Sequence, residues 1–144
     1  MIRFLPAAVL TLAFAAGPVQ AADSVLGGWQ TLDDKTGKVV STVEIYEQGG
    51  KVFARITGLT EPNDAQGNPK ACTRCTGEDK DRPVLGLVIV KDLSRSGDRY
   101  KGGTIMDPAD GKVYKAELWI EDGKLKVRGY QGFLYKTKTW LRAS

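Results

Sequence analysis

Between Tyr100 and Arg142 the chain repeats one pattern: a run rich in Val, Ile, Leu, Tyr and Trp, then a tight turn signal, then another run. Asp107-Pro108 with Asp110-Gly111, then Asp122-Gly123, then the segment from Gly129 to Gly132 supply the punctuation. Short runs at even spacing, separated by Gly and Asp, specify antiparallel strands joined by hairpins. The same grammar extends upstream. Val25–Thr31, Val39–Glu47, Lys51–Leu59 and Val84–Val90 read as strands, followed by Arg99–Met106, Val113–Glu121, Lys124–Tyr130 and Phe133–Arg142. No helical period interrupts them. About eight antiparallel strands in sequence order close into an up-and-down barrel, which also removes exposed sheet edges, so the expected fold class is all-β.

Met1 to Ala21 is expected to lie outside that fold. Arg3 precedes an apolar run from Leu5 to Ala16, Gly17-Pro18 breaks it, and Val19-Gln20-Ala21 places small residues before a cut after Ala21. This is the form of a secretory signal peptide, and its apolar run is too short to span a bilayer. The expected location is the bacterial periplasm, with residues 22–144 as one domain of 123 residues. Losing Arg3 takes the cations from 21 to 20 against 17 acids, a net charge of +3. That is far from the positive field of a nucleic-acid binder, so no nucleic-acid partner is expected. The chain has no histidine. Serine–histidine and cysteine–histidine catalysis and the usual zinc triads are therefore excluded, and the protein is read as a non-enzyme without metal or cofactor.

Two segments stand apart from the strand rhythm. Thr60 to Pro83 is too long and too rich in Pro, Gly and charge for a simple connection, and is expected to act as a functional loop or lid. It holds Cys72-Thr73-Arg74-Cys75, the only cysteines. In an exported chain this reads as a local disulfide; a thiol oxidoreductase is the lesser alternative, because its motif belongs at a helix N-terminus in a βαβ setting. Thr76 stands where haem attachment needs His, and two lone cysteines do not make a zinc site. Val84–Val90, apolar on both faces, calls for cover on its outer side by the long loop or by a second copy, hence a monomer or weak dimer. Asp33-Asp34 and Glu78 to Asp81 sit in turns and loops, where solvated charge is the default.

The last strands describe the interior. Tyr114, Ala116, Leu118 and Ile120 share one face, Leu125 and Val127 another, and Tyr135, Thr137, Thr139 and Leu141 a third. Buried hydroxyls need partners, so an inner wall bearing Tyr and Thr suits a cavity with water or an amphipathic ligand; a filled core with backbone-bonded hydroxyls is the other reading. Tyr114, Leu118, Val127, Tyr135 and Thr137 are the expected ligand-binding residues for a small hydrophobic or amphipathic molecule such as a lipid. The opposite faces carry Lys124, Lys126, Arg128, Lys136, Lys138 and Arg142, and no acid occurs from Gly123 to Ser144. That basic outer face, with Tyr130 and Trp140, offers a second function: an envelope interaction module for anionic lipid or lipopolysaccharide.

Gly27-Gly28-Trp29-Gln30-Thr31, Asp34 to Lys38, Val43 to Glu47, Asn68-Pro69, Asp107-Pro108 with Gly111-Lys112-Val113-Tyr114, and Leu125 to Tyr130 together cover almost all of residues 22–144. In this combination the chain resembles a bacterial exported family of unknown function, itself similar in fold to lipocalins. Lipocalins bear Gly-x-Trp on the first strand, matched here by Gly27 and Trp29. A basic side chain near the end of their last strand packs over that Trp, and Arg142 is the matching candidate. The other lipocalin segments and long-range disulfides are absent. The resemblance implies a lipocalin-like barrel, structural roles for Trp29 and Arg142 in closing its floor, and a small hydrophobic ligand. It implies no catalytic residue.

Overall fold

The computed structural model describes residues 8–13 and 24–144. Apart from residues 8–13, the expected signal peptide and its cut after Ala21 lie outside the described residues. Eight strands follow in order: β1 (Gly27–Leu32), β2 (Val39–Gln48), β3 (Lys51–Leu59), β4 (Val88–Ser96), β5 (Arg99–Met106), β6 (Val113–Glu121), β7 (Lys124–Gln131) and β8 (Leu134–Arg142). Each pairs antiparallel with the next, and β8 returns to β1, closing the barrel. The turns explain the order. Gly49 and Gly50 join β2 to β3 with both residues at positive φ, and Asp122-Gly123 does the same between β6 and β7. That backbone matches the right-handed twist of the flanking strands.

The pairing register assigns the faces, because directly paired residues point to the same side of the sheet. Trp29 pairs with Val43, Val43 with Ile56, Ala54 with Val90 and Leu118 with Val127, and all of them are buried. Trp29, Val43, Ile45, Val90, Leu93, Leu118 and Leu125 are fully enclosed, so this half of the lumen is packed. Each such side chain stabilises the fold by roughly 1.5–3 kcal/mol on transfer from water.

One end of the barrel is shut. The Trp29 indole N–H donates to the Val25 carbonyl at 2.8 Å, and the Arg142 guanidinium lies 3.8 Å above the Trp29 ring. Arg142 also donates to the carbonyls of Leu26 at 2.9 Å and Ser24 at 2.6 Å. The other end, where the segments 33–38, 60–87, 107–112 and 132–133 gather, is the mouth.

Val84–Val90 is not one strand. Gly86 takes φ +93°, and Val84 to Leu87 form a turn whose ends bond to β3 through Gly86 N–H to the Ile56 carbonyl at 2.8 Å. β4 begins only at Val88. The long loop contributes to the core: Cys72, Cys75, Val84 and Leu87 join the buried cluster that holds Ile89 and Val90, while Leu85 remains exposed. Cys72 and Cys75 form a disulfide. It sits against the rim of β5, with the Cys75 sulfur 3.5 Å from the Met106 sulfur. At Gly111 the backbone of the facing connection comes so close that a Cβ would lie 1.9 Å from the Arg74 carbonyl oxygen, and its φ is +71°. The loop is therefore fastened to the 107–112 connection by a contact only glycine permits.

Candidate functional site

β8 is where the structure departs from the alternation read in the sequence. Lys138 pairs with Val127, Lys136 with Gly129 and Trp140 with Leu125, so the side of β8 bearing Lys136, Lys138 and Trp140 faces the lumen. Tyr135 pairs with Tyr130, Thr137 with Arg128 and Thr139 with Lys126, on the outer wall. Tyr135 and Thr137 therefore do not line the interior. Two facts set this face choice. Trp140 brings more apolar surface than any other β8 side chain and is buried beside Leu125. The threonine hydroxyls find partners outside, Thr137 accepting from Arg128 and Thr139 from Lys126, both at 2.8 Å.

The interior is thus layered by depth. Ile120, Leu125 and Trp140 lie nearest the closed end, then Leu118, Val127 and Lys138, then Ala116, Gly129 and Lys136, with Tyr114 above. Gly129 leaves room for Tyr114: a Cβ there would stand 3.3 Å from the Tyr114 Cβ and 3.6 Å from its Cγ. Tyr114 is half-buried and inward, while Leu118 and Val127 are fully packed beneath it. They form the apolar layer under the mouth rather than an open wall.

At the mouth the chemistry changes to charge. Lys136 donates to the Asp34 carboxylate at 2.8 Å and Lys138 lies 3.5 Å from the same oxygen. Two cations share one acid. The hydrogen bond from Lys136 holds the Asp34 carboxyl below its ordinary value, and the bond to Asp34 raises the Lys136 ammonium. Tyr114 donates its hydroxyl to Asp110 at 3.2 Å. Partial desolvation, followed by the nearby Asp110 charge, pushes its phenol up, so it stays protonated near neutral pH. The Asp34 contact also spans β1 and β8, whose backbone pairing consists of Trp29 with Arg142 and Gln30 with Leu141, both toward the closed end.

The outer basic face is accordingly smaller than the sequence suggested. Of the residues assigned to it, Lys136, Lys138, Trp140 and Arg142 lie on the inner side, Arg142 over Trp29, while Lys126 and Arg128 stand outside, paired with Thr139 and Thr137. The Arg128 guanidinium lies 4.8 Å from the Trp119 ring and 4.2 Å from the Tyr135 ring, and Arg99 covers Trp119 at 4.1 Å. Glu117 anchors this ladder, accepting from Tyr130 at 2.6 Å and Arg99 at 2.9 Å. The Tyr130 hydroxyl, then Arg99, holds its carboxyl below the ordinary value. Sequence alternation on β8 alone hid this arrangement; the pairing of Arg128 with both Glu117 and Thr137 reveals it.

Outside the wall, the loop and the outer faces of β2 and β3 enclose a cleft of about 420 Å³. Its floor is Tyr46 stacked on Phe53, with ring centroids 5.7 Å apart, and Asp79, Arg82 and Lys91 stand on its rim. Asp79 takes both cations, Lys91 at 3.4 Å and Arg82 at 3.8 Å. Cys72 is fully enclosed and Cys75 nearly so. No attacking thiolate reaches either sulfur in this conformation, so the oxidoreductase alternative has no accessible centre. No described helix is long and apolar enough to cross a membrane, which says nothing of strands.

The comparisons with known proteins agree with this architecture. A solved structure entitled as protein HP1028 from the human pathogen Helicobacter pylori, belonging to the lipocalin family, superimposes with a TM-score of 0.70 and 28% identity. The match covers 85% of this chain and 84% of that one. No curated protein sequence matches. Residues 27–142, from the first barrel strand to the last, match the family model described as "uncharacterized protein conserved in bacteria" (DUF2147). With its eight-stranded lipocalin-like barrel, the chain belongs to that family.

Proposed function

We propose that the protein is a ligand-binding barrel of the bacterial periplasm that takes a small amphipathic molecule with an anionic head at its open end. The observation that carries this reading is the inward register of Lys136 and Lys138 above an apolar layer of Leu118, Val127 and Leu125. Cations over a greasy floor suit a carboxylate, sulfonate or phosphate attached to an apolar tail. Asp34 satisfies the lysines while the site is empty of an anion, and an incoming head group competes for them. Export rests on the Met1 to Ala21 pattern.

The test is calorimetric titration with decanoate and fluorescence titration with 1-anilinonaphthalene-8-sulfonate. Saturable binding by the natural protein, lost in Lys136→Gln/Lys138→Gln while the thermal transition is retained, supports the reading. Absence of binding of both probes, or undiminished binding by the double variant, overturns it.

A further inference from the structure

The β7–β8 hairpin ends in a feature the barrel does not need. Gln131 pairs with Leu134 across a two-residue turn of Gly132 and Phe133. Three consecutive large side chains there face solvent: Phe133 is 93% exposed, Leu134 65% and Tyr135 61%. Turn positions ordinarily take polar residues, and a run of exposed apolar residues at a hairpin tip contributes nothing to a core. Val113, on the neighbouring strand at the same end, is also exposed. The patch therefore extends beyond the turn itself.

Cations flank this tip on the outer wall. Of the six cations between Gly123 and Ser144, Arg128 and Lys136 lie toward this tip, while Lys124 follows the Asp122-Gly123 turn and Arg142 stacks on Trp29 at the closed end. Lys115 pairs with Tyr130 on the outer wall beside the tip, and Lys112 leads into β6. In the two connections beside the tip, Asp34 pairs with Lys136 and Lys138, Asp110 with the Tyr114 hydroxyl and the Lys112 amide, and Asp33 and Asp107 accept from amides of their own turns. Tyr135, stacked beside Arg128, has the amphipathic form of residues that settle at headgroup level.

We propose that Phe133, Leu134 and Tyr135 form a wedge that inserts into an anionic phospholipid surface and seats the barrel mouth-first on the membrane. Phe133 and Leu134 enter the boundary between headgroups and acyl chains, and Lys112, Lys115 and Arg128 meet lipid phosphates. Apolar insertion supplies the attachment and the basic flank selects for negative lipid. This surface is separate from the inward lysines and stands independently of the ligand reading.

The experiment is co-sedimentation of the full protein with vesicles of phosphatidylglycerol and phosphatidylethanolamine, with phosphatidylcholine vesicles as comparison. The natural protein partitions onto the anionic vesicles. Phe133→Ser/Leu134→Ser binds at least about a hundredfold more weakly, because each of the two inserted side chains accounts for about tenfold or more in partitioning. Both positions are exposed, so an unchanged circular dichroism spectrum and retained binding of 1-anilinonaphthalene-8-sulfonate exclude a folding explanation. In Phe133→Trp, anionic vesicles shift the new emission to the blue. Lys136→Gln/Lys138→Gln keeps vesicle binding, which separates this proposal from the ligand reading. Equal binding by the Ser variant and the natural protein overturns the wedge. So does a vesicle-free dimer that the Ser variant converts to monomer, since the patch then covers a second copy.

Discussion

The two ends of the barrel are built from the same strands and follow opposite rules. At the closed end, Trp29, Leu125 and Trp140 pack without residual exposure of note, and the polar groups present are locked to backbone carbonyls. At the mouth, Asp34, Lys136 and Lys138 meet in partly exposed ion pairs that are easily exchanged for other partners. The closed end holds the fold, and the mouth is free to vary its contacts. Stability and binding are therefore assigned to different halves of each strand. On β8 the division falls between Lys138 and Trp140.

Substitutions at either end test that division. Trp29→Ala carries the largest expected effect, a loss of about 3–5 kcal/mol, because it opens a cavity in the enclosed half. Urea denaturation measures it, and a loss under about 1 kcal/mol would show that the floor does not carry the fold. Arg142→Ala follows at about 2–3 kcal/mol, from the stacked cation and its charge-assisted bonds to Leu26 and Ser24. Gly111→Ala is expected to destabilise by about 1–3 kcal/mol, since the added methyl strikes the Arg74 carbonyl and the backbone stays at positive φ. Limited proteolysis in the 60–87 loop should rise with it.

The mouth gives the converse pattern. Lys136→Gln should change stability by less than about 1 kcal/mol, yet reduce binding of the sulfonate probe. Asp34→Asn has the smallest expected effect, an affinity for that probe about two- to fivefold higher, because the competing carboxylate is gone. Acid should mimic it. Asp34 is held below its ordinary value of 3.8, so its pairing persists above that pH and is lost as pH falls through the lower folded value. Lys136 is raised above 10.5, so its half of the pair persists below that pH and is lost as pH climbs through the higher folded value. Probe affinity that rises below pH 4 in the natural protein but stays flat in Asp34→Asn identifies Asp34 as the competitor.

Strand order and barrel closure were legible because turn chemistry is local. Gly49-Gly50 and Asp122-Gly123 announce their hairpins, and β3, β5 and β6 begin and end where their alternation does. The faces of β6 and β7 were legible for the same reason, since Leu118, Leu125 and Val127 leave no competing assignment. β8 was not. Its two faces hold Tyr, Thr and Leu against Lys, Trp and Arg, and counting charges sends the wrong one outward. A lysine can face inward near an open end, where its ammonium still reaches water, and only pairing with Val127 and Gly129 discloses this depth. The start of β4 was hidden similarly: Val84 and Leu87 are apolar because they enter the buried cluster from a turn, while Leu85 stands exposed at the outer cleft, and none of them extends a strand. The outer cleft depends on where that loop lands, which no local pattern encodes.

The meeting of β1 and β8 sets an order in which the wall comes apart. Its backbone rungs sit low, at Trp29 with Arg142 and Gln30 with Leu141, while higher up the two strands are tied through Asp34 and the lysines. A zip fastened only at its base and held by a button at the collar opens from the collar. Amides of Lys136 to Thr139 that face this seam should therefore exchange with solvent before those near Arg142, and anything that displaces the button leaves a slot in the side of the barrel.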